Sequence, residues 1–232
     1  MKLSVREWGN GDRLAILVHG ASGTAESMRP FAEQLVDRGY RVLAPDLRGH
    51  GSSPRGGPYS LAALAADLVE SLPPGAELVA GHSFGGKLLP LAVSGLRPAR
   101  AMYLDPAWIA PLGPAGGLPL AKDDGTPMAV ADLRAVRPEA DEAVLRDMVA
   151  RYLATDWRMF HEPRVKLRQH TPPPLVAEVP SLVVRADPSE LVDDLADRLR
   201  AGGYEVRTQP GAGHGLFQED MDAFLATVAG WI

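Results

Sequence analysis

The stretch from Glu77 to Leu89, ELVAGHSFGGKLL, constrains the fold of this chain more than any other. A short apolar run ends at Gly81, a G-x-S-x-G pattern surrounds Ser83, and a helix-forming run follows directly. A serine on so tight a turn between strand and helix needs neighbours without side chains, and Gly81 and Gly85 meet that need. The N-terminus of the helix would also direct N–H groups at negative charge formed beside Ser83. The pattern therefore predicts a nucleophilic serine at the end of a strand.

Strands and helices are predicted to alternate on both sides of this turn. Such regular alternation indicates a parallel sheet with helices on both faces. Right-handed crossovers then place the carboxyl ends of the strands along one edge, where ligands bind in open α/β sheets. His19, Asp46, Ser83 and Asp105 fall at such ends. The predicted strands are 3–8, 14–18, 40–44, 77–80, 101–104, 181–185 and 204–208, and the predicted helices are 24–38, 61–72, 83–96, 189–200 and 220–231.

The alternation stops after Asp105 and resumes near residue 180. Residues 106–128 are rich in Pro, Gly and Ala, whereas 138–160 has the apolar spacing of a helix. An insertion that leaves and re-enters at the functional edge is expected to cover that edge as a lid and exclude water. Four large side chains of this insertion either line a substrate cavity or pack its interior, and they are Trp108, Trp157, Met159 and Phe160.

We therefore expect a core of residues 1–105 and 180–232 and a helical cap over 106–179. Only one strand-like segment precedes residues 14–18, so the sheet is expected to be short at that edge.

Composition and charge narrow the function. The chain has 46% hydrophobic and 23% charged residues and a net charge of −5, which does not suit a nucleic-acid surface. The absence of Cys excludes disulfides and thiol catalysis. The six His residues lack metal-ligand spacing and the Gly-rich segments lack nucleotide-binding patterns, so neither a metal nor a cofactor is expected. No signal peptide or membrane-spanning run is recognisable, and we expect a cytoplasmic protein without membrane insertion.

Four motifs, VHGASG, APDLRGHGSS, GHSFGG and GAGHGLFQED, together resemble the serial motifs of the α/β-hydrolase superfamily. The resemblance runs from Val18 to Asp220, and it is specific for fold and much less so for substrate. It implies an α/β-hydrolase fold, with a mostly parallel, doubly wound sheet and a helical cap inserted before the penultimate strands. It also implies a serine hydrolase of the esterase type, in which Ser83 attacks an acyl carbon while His214 takes and returns the proton.

The resemblance further implies an oxyanion hole formed by the backbone N–H groups of Ala21 and Phe84. His82 is interpreted as a packed neighbour of the nucleophile. A structural turn that ties loops together at the site is predicted from Asp46, Arg48 and His50.

The acid of the triad has three candidates. Relatives of this kind usually carry it in a G-x-x-D turn after the strand at 181–185, but Ser189 stands at the usual Asp position here. Asp187 and Glu190 lie on either side of Ser189, and Asp105 follows the preceding strand, where other relatives place the acid. All three precede His214 and could fix its tautomer. We favour Asp187, with Asp105 and Glu190 as the alternatives.

A small or medium carboxylic ester is the simplest substrate, and the expected partner is a small-molecule acyl compound. The same triad would also serve a lactonase, a thioesterase or a C–C bond hydrolase. A competing class is a non-catalytic small-molecule sensor whose lid closes over its ligand. The presence of both Ser83 and His214 argues against that class.

Overall fold

The structure is a computed structural model. It describes residues 1–108, 128–136, 138–156, 159, 173–189, 191 and 193–232. Within this part of the chain, seven strands form one sheet. The strands are β1 (Val5–Trp8), β2 (Arg13–Val18), β3 (Tyr40–Pro45), β4 (Leu78–His82), β5 (Arg100–Leu104), β6 (Ser181–Arg185) and β7 (Tyr204–Thr208). The helices are α1 (Arg29–Val36), α2 (Leu61–Ser71), α3 (Phe84–Leu96), α4 (Val130–Val136), α5 (Glu142–Leu153), α6 (Asp193–Ala201) and α7 (Met221–Thr227), with short 3₁₀ helices at Ala25–Met28 and Leu216–Gln218.

The strand order is β1-β3-β2-β4-β5-β6-β7. β1 runs antiparallel to β3, and the other neighbouring pairs are parallel. This arrangement confirms the prediction of a mostly parallel, doubly wound sheet. A single strand precedes β2, as expected. β4, which leads to Ser83, lies at the middle of the sheet between β2 and β5.

Helices cover both faces of the sheet. Side chains alternate in direction along each strand, so neighbouring residues pack against helices on opposite faces. Val79 points into a core shared with Leu64 and Leu68 of α2, whereas Leu78 packs on the other face with Phe31 of α1. Ser60 is the N-cap of α2, as predicted, and its hydroxyl accepts a hydrogen bond from the backbone N–H of Ala63 at 3.2 Å. Since strands buried on both faces must be continuously apolar, their positions could be predicted from apolar runs alone.

The described part of the insertion contributes two helices, α4 and α5, which pack against each other. The sequence predicts helix over 138–160, whereas the structure has α5 at Glu142–Leu153 and a separate α4 before it. Trp108 and Met159 are buried in the interior. Trp157 and Phe160 lie outside the described residues. The division into core and cap stays a prediction.

The residues after α5 are tied to the loop that follows β3. The N–H of Asp156 donates to the carbonyl of Gly49 at 2.6 Å, and the N–H of Gly51 donates to the carbonyl of Ala154 at 3.0 Å. The Tyr59 hydroxyl donates to the Asp156 carboxylate at 2.5 Å. This part of the insertion is therefore anchored beside the carboxyl-end edge of the sheet. Among the described helices, none is long and apolar enough to cross a bilayer.

Candidate active site

Ser83 lies on the tight turn between β4 and α3, as the sequence predicts. Its backbone has φ 52° and ψ −111°, a region that costs a non-glycine residue about 1–3 kcal/mol. A Cβ atom built on Gly81 would lie 2.6 Å from the carbonyl carbon of Gly85, and one built on Gly85 would lie 2.4 Å from the carbonyl oxygen of Val18. Only glycine fits at both positions, and the surrounding sheet holds Ser83 in its strained conformation.

Three polar side chains are connected in series at this turn. The Ser83 hydroxyl is 2.8 Å from Nε2 of His214, and Nδ1 of His214 is 2.6 Å from Oδ2 of Asp105. Ser83 and Asp105 are buried, whereas the His214 side chain is 57% exposed. A serine, an imidazole and a carboxylate in this order can activate the hydroxyl as a nucleophile.

The structure brings Asp105, the alternative acid, to His214, and not the favoured Asp187. The Asp187 carboxylate instead accepts a hydrogen bond from the N–H of Gly211 at 3.2 Å, in the loop that leads to His214. Asp105 follows β5, the strand next to β4, and this neighbouring position brings its carboxylate beneath the imidazole. Glu190, the third candidate, lies outside the described residues.

The Asp105 carboxylate is held by several donors. Its Oδ1 accepts hydrogen bonds from the N–H of Ala186 at 3.1 Å and from the Ser189 hydroxyl at 3.0 Å. Burial raises the pKa of Asp105, but the hydrogen bonds from His214, Ala186 and Ser189 outweigh burial and bring the pKa below its usual value. The group is therefore ionised near neutral pH and can stabilise a positive imidazolium. Ser189 stands where the family pattern usually has the acid. The sequence showed that departure, but it did not show that the Ser189 hydroxyl would bind Asp105.

Sequence reasoning also missed Glu219, which holds the loop around His214. Its two carboxylate oxygens accept hydrogen bonds from the N–H groups of Gly213 at 2.7 Å and Gly215 at 3.0 Å, one on each side of His214. The signal was present in the motif GAGHGLFQED, where the acid lies one helical turn after the second glycine. Glu219 thus fixes the backbone that carries the imidazole.

His82, interpreted from the sequence as a packed neighbour, has a definite contact. Its Nε2–H donates to the carbonyl oxygen of His214 at 2.8 Å, and the two rings lie 5.0 Å apart. Burial, assisted by the nearby His214, lowers the pKa of His82 to about 4. The ring is therefore neutral at physiological pH and supports the loop as a hydrogen-bond donor without adding charge.

The loop after β2 passes directly beside the nucleophile. A Cβ atom built on Gly20 would lie 3.2 Å from the Ser83 Cβ atom. Ala21 follows Gly20 and is buried, as is Phe84 after the nucleophile. Gly20, the residue before Ala21, thus lies against the turn that carries Ser83 and Phe84, and the oxyanion hole itself stays a prediction.

The predicted structural turn after β3 supports this loop. His50 donates from Nε2 to the carbonyl oxygen of Ala21 at 2.6 Å. The Asp46 carboxylate accepts from the N–H of Ala25 at 2.7 Å, and Arg48 forms a buried ion pair with Asp67 at 2.6 Å. Asp46 and His50 thus connect the loops around the site, and Arg48 connects the turn to α2. These contacts agree with a structural role.

Lys87 is a further residue that the sequence reasoning did not single out. It lies one helical turn after Ser83 and is only 1% exposed. Burial lowers its pKa to about 8. Next to it, the Trp108 indole N–H donates to the carbonyl of Gly86 at 3.2 Å. Within the described ranges, no group of three or more His, Asp or Glu side chains is arranged to hold a metal ion.

Comparison with known proteins identifies the family of this chain. A sequence profile described as the alpha/beta hydrolase family matches residues 15–227. The chain therefore belongs to the alpha/beta hydrolase family, which confirms the resemblance drawn from the motifs.

Individual relatives are more distant. The chain is 34% identical over 113 residues to lipase LipV of Mycobacterium tuberculosis, covering 45% of this chain and 42% of that protein. It is 34% identical over 90 residues to esterase YbfF of Escherichia coli, covering 37% and 34% of the two chains. The matches thus span less than half the length of these relatives. A solved structure of an N-formylmaleamic acid deformylase from Pseudomonas putida superposes with a TM-score of 0.78 at 18% identity, covering 97% of this chain and 95% of that one, which shows a shared fold.

Proposed function

We propose that this protein is a serine hydrolase that cleaves a small or medium acyl substrate, most simply a carboxylic ester. The observation that carries the proposal is the continuous series of contacts from the Ser83 hydroxyl through His214 to the Asp105 carboxylate, at 2.8 and 2.6 Å. These distances lie within the reach required between a nucleophile, its base and the group that orients the base.

The first half of the reaction follows from this order of groups. The Ser83 Oγ atom attacks the carbonyl carbon of the substrate while Nε2 of His214 takes the hydroxyl proton. Asp105 accepts the hydrogen bond from Nδ1 and stabilises the imidazolium by its negative charge. The backbone N–H groups of Ala21 and Phe84 would stabilise the oxyanion of the tetrahedral intermediate.

The second half returns the enzyme to its starting state. His214 donates its proton to the leaving alcohol, the C–O bond breaks, and an acyl group remains on Ser83. A water molecule then attacks the acyl carbon while His214 takes its proton; the bond between the acyl carbon and Ser83 Oγ breaks, His214 returns the proton to Oγ, and the acid is released. In this assignment Asp105 takes the place in the triad for which the sequence favoured Asp187.

The names of the relatives favour an ester over other acyl compounds. Lipase LipV and esterase YbfF are both named for ester hydrolysis, and their similarity supports the same reaction class here. Within the described residues, Trp108, Met148 and Tyr152 are buried in the same apolar cluster as Ala21 and Phe84. An apolar environment of this kind suits an uncharged acyl chain.

A fluorophosphonate probe tests the proposal directly, since it reacts only with an activated serine. Wild type should gain one adduct by intact mass, Ser83→Ala should gain none, and Ser60→Ala, which changes a helix cap instead, should label like wild type. Turnover of a panel of esters, lactones and thioesters of increasing acyl length should then be highest for the esters. Wild type that neither labels nor turns over any of these compounds would favour the sensor reading.

A further inference from the structure

His19, at the end of β2, makes a hydrogen bond with each nitrogen of its ring. The side chain is fully buried. Its Nε2 accepts a hydrogen bond from the N–H of Leu47 at 3.0 Å, so Nε2 carries no proton. Nδ1 then carries the proton, and it donates to the carbonyl oxygen of Gly20 at 2.7 Å. The protein thereby selects one tautomer of the imidazole.

The ring can act in this way only if it stays neutral, because a protonated ring would have no acceptor for Leu47. Burial, together with the nearby His50 and His82, lowers the pKa of His19 well below its usual value. The His50 ring centroid lies 4.9 Å from that of His19. The surroundings therefore keep His19 as one donor and one acceptor.

The carbonyl that accepts from His19 Nδ1 belongs to the Gly20–Ala21 peptide group. The Gly20 carbonyl also accepts a hydrogen bond from the N–H of Gly23 at 3.0 Å. In a trans peptide, the C=O of Gly20 and the N–H of Ala21 lie in one plane and point in opposite directions. Two donors that fix the Gly20 oxygen therefore also fix the direction of the Ala21 N–H, in the loop that passes beside Ser83.

We propose that His19 is a positioning residue for the oxyanion hole: its Nδ1–H aims and polarises the Gly20–Ala21 peptide whose N–H meets the developing oxyanion. The inference rests on the proposed function. The hydrogen bonds run in one direction, from Leu47 N–H to His19 and from His19 to Gly20, and consecutive bonds of this kind polarise one another. The Ala21 N–H is thus a better donor than an isolated peptide would be.

A pair of substitutions separates the two bonds of the ring. Asparagine places its amide near the position of Nδ1, so His19→Asn can still donate to Gly20 but cannot reach Leu47. Glutamine places its amide near Nε2, so His19→Gln can accept from Leu47 but loses the bond to Gly20. Both variants bury an amide, and their melting temperatures provide the control for structural damage.

The expected result is a larger loss of kcat in His19→Gln than in His19→Asn, by about 10- to 100-fold, with KM on a short p-nitrophenyl ester nearly unchanged. An alkyl boronic acid, which forms a tetrahedral adduct with an active-site serine, should lose affinity in the same order. Equal kcat in the two variants, or losses that follow the melting temperatures, would overturn the inference while leaving the proposed function standing. A wild type that shows no labelling and no turnover would overturn both.

A measurement on wild type does not depend on how the variants fold. Nitrogen-15 NMR of the His19 ring should show a neutral imidazole with the proton on Nδ1 throughout pH 5 to 8. A proton on Nε2, or a ring that becomes charged in that range, would contradict the proposal.

Discussion

The two edges of the sheet each hold a carboxylate, and the two are stabilised in different ways. At the carboxyl-end edge, Asp105 is buried and is surrounded by neutral hydrogen-bond donors and His214. At the amino-end edge, Glu77 lies between Arg13 and Arg100, with Nη2 of these residues 2.6 and 2.5 Å from its Oε1. Both carboxylates have lowered pKa values, but only Glu77 has its charge neutralised by permanent cations.

The two kinds of partner suit the two edges to different roles. Hydrogen bonds from Arg13 and Arg100 lower the pKa of Glu77 to about 2, against the effect of burial. The two guanidinium groups compensate the negative charge of Glu77, so its field at more distant groups is weak. Asp105 is held in place mainly by neutral donors, and in the proposed reaction its charge would stabilise the imidazolium of His214. The amino-end edge therefore favours stability, and the carboxyl-end edge favours chemistry.

The largest expected effect is that of Asp105→Asn. The amide has no negative charge and would favour the wrong tautomer of His214, so kcat on a short ester should fall by about 10⁴-fold. Asp187→Asn is the matched control and should lose about threefold at most, since it weakens only a hydrogen bond to Gly211. If the two variants exchanged these effects, Asp187 would be the triad acid after all.

A smaller effect is expected from Glu219→Gln, because Glu219 acts on His214 only through the backbone of its loop. Glutamine offers one acceptor oxygen to the two N–H groups beside His214, so the imidazole loses part of its fixed position and kcat should fall about 10-fold. Glu33→Gln, on the exposed side of α1, is the control. Unchanged kcat in Glu219→Gln would mean that the remaining contacts of the loop, including that from His82, suffice to place His214.

Ser189→Ala should have a weaker effect still, of about 2- to 10-fold on kcat/KM near neutral pH, because one hydrogen bond to the Asp105 carboxylate is lost. Losing that bond raises the pKa of Asp105, which is lowered in the wild type, so activity should begin to fall at a higher pH on the acid side. Ser189→Thr keeps the hydroxyl and should restore the wild-type pH profile. A profile that does not move in Ser189→Ala would show that Ala186 and His214 alone keep Asp105 ionised.

Much of the carboxyl-end edge could be predicted from the sequence. The strands and the positions of Ser83 and His214 could be predicted, because buried strands are apolar runs and the glycine-flanked motifs tolerate few alternatives. The carboxylate that contacts His214 could not be predicted, since Asp105 and Asp187 both follow strands at the same edge. Asp105 follows the strand next to β4 and its carboxylate faces His214, whereas that of Asp187 faces Gly211. The spacing of residues in the sequence determines neither the strand order nor these directions.

One helix, the end of another and two side-chain contacts were also not predicted from the sequence, for a similar reason. The helix α4 follows a segment rich in Pro, Gly and Ala, where no local pattern announces it, and the last helix ends at Thr227 instead of continuing to Trp231. Glu219 and His19 contact backbone groups. The motif around His214 contains Glu219, but residue spacing does not show which N–H or C=O groups either side chain contacts. Contacts between side chains and distant peptide groups require the folded chain.

The smallest effect on activity is expected from Glu77→Gln, and it tests the other edge. Arg13, Tyr40 and Arg100 all begin strands at that edge, and Arg13 donates to both oxygens of Glu77, from Nε at 2.9 Å and Nη2 at 2.6 Å. Because the group is partly exposed, solvent screening limits its contribution to about 1 kcal/mol, or roughly 2–4 °C in melting temperature for a chain of this size. The value of kcat should not change.

The pH dependence of this effect has a definite sign. A carboxylate whose pKa is lower in the folded state stabilises the fold above its unfolded pKa, and that stabilisation is lost as the pH falls toward the folded value. For Glu77 the window lies between the ordinary value of 4.5 and about 2. The difference in unfolding free energy between wild type and Glu77→Gln, measured by urea denaturation, should therefore be constant near neutrality and shrink below pH 4.5. A loss of kcat without a loss of stability would show that the amino-end edge contributes to the chemistry, and the contrast between the two edges would fail.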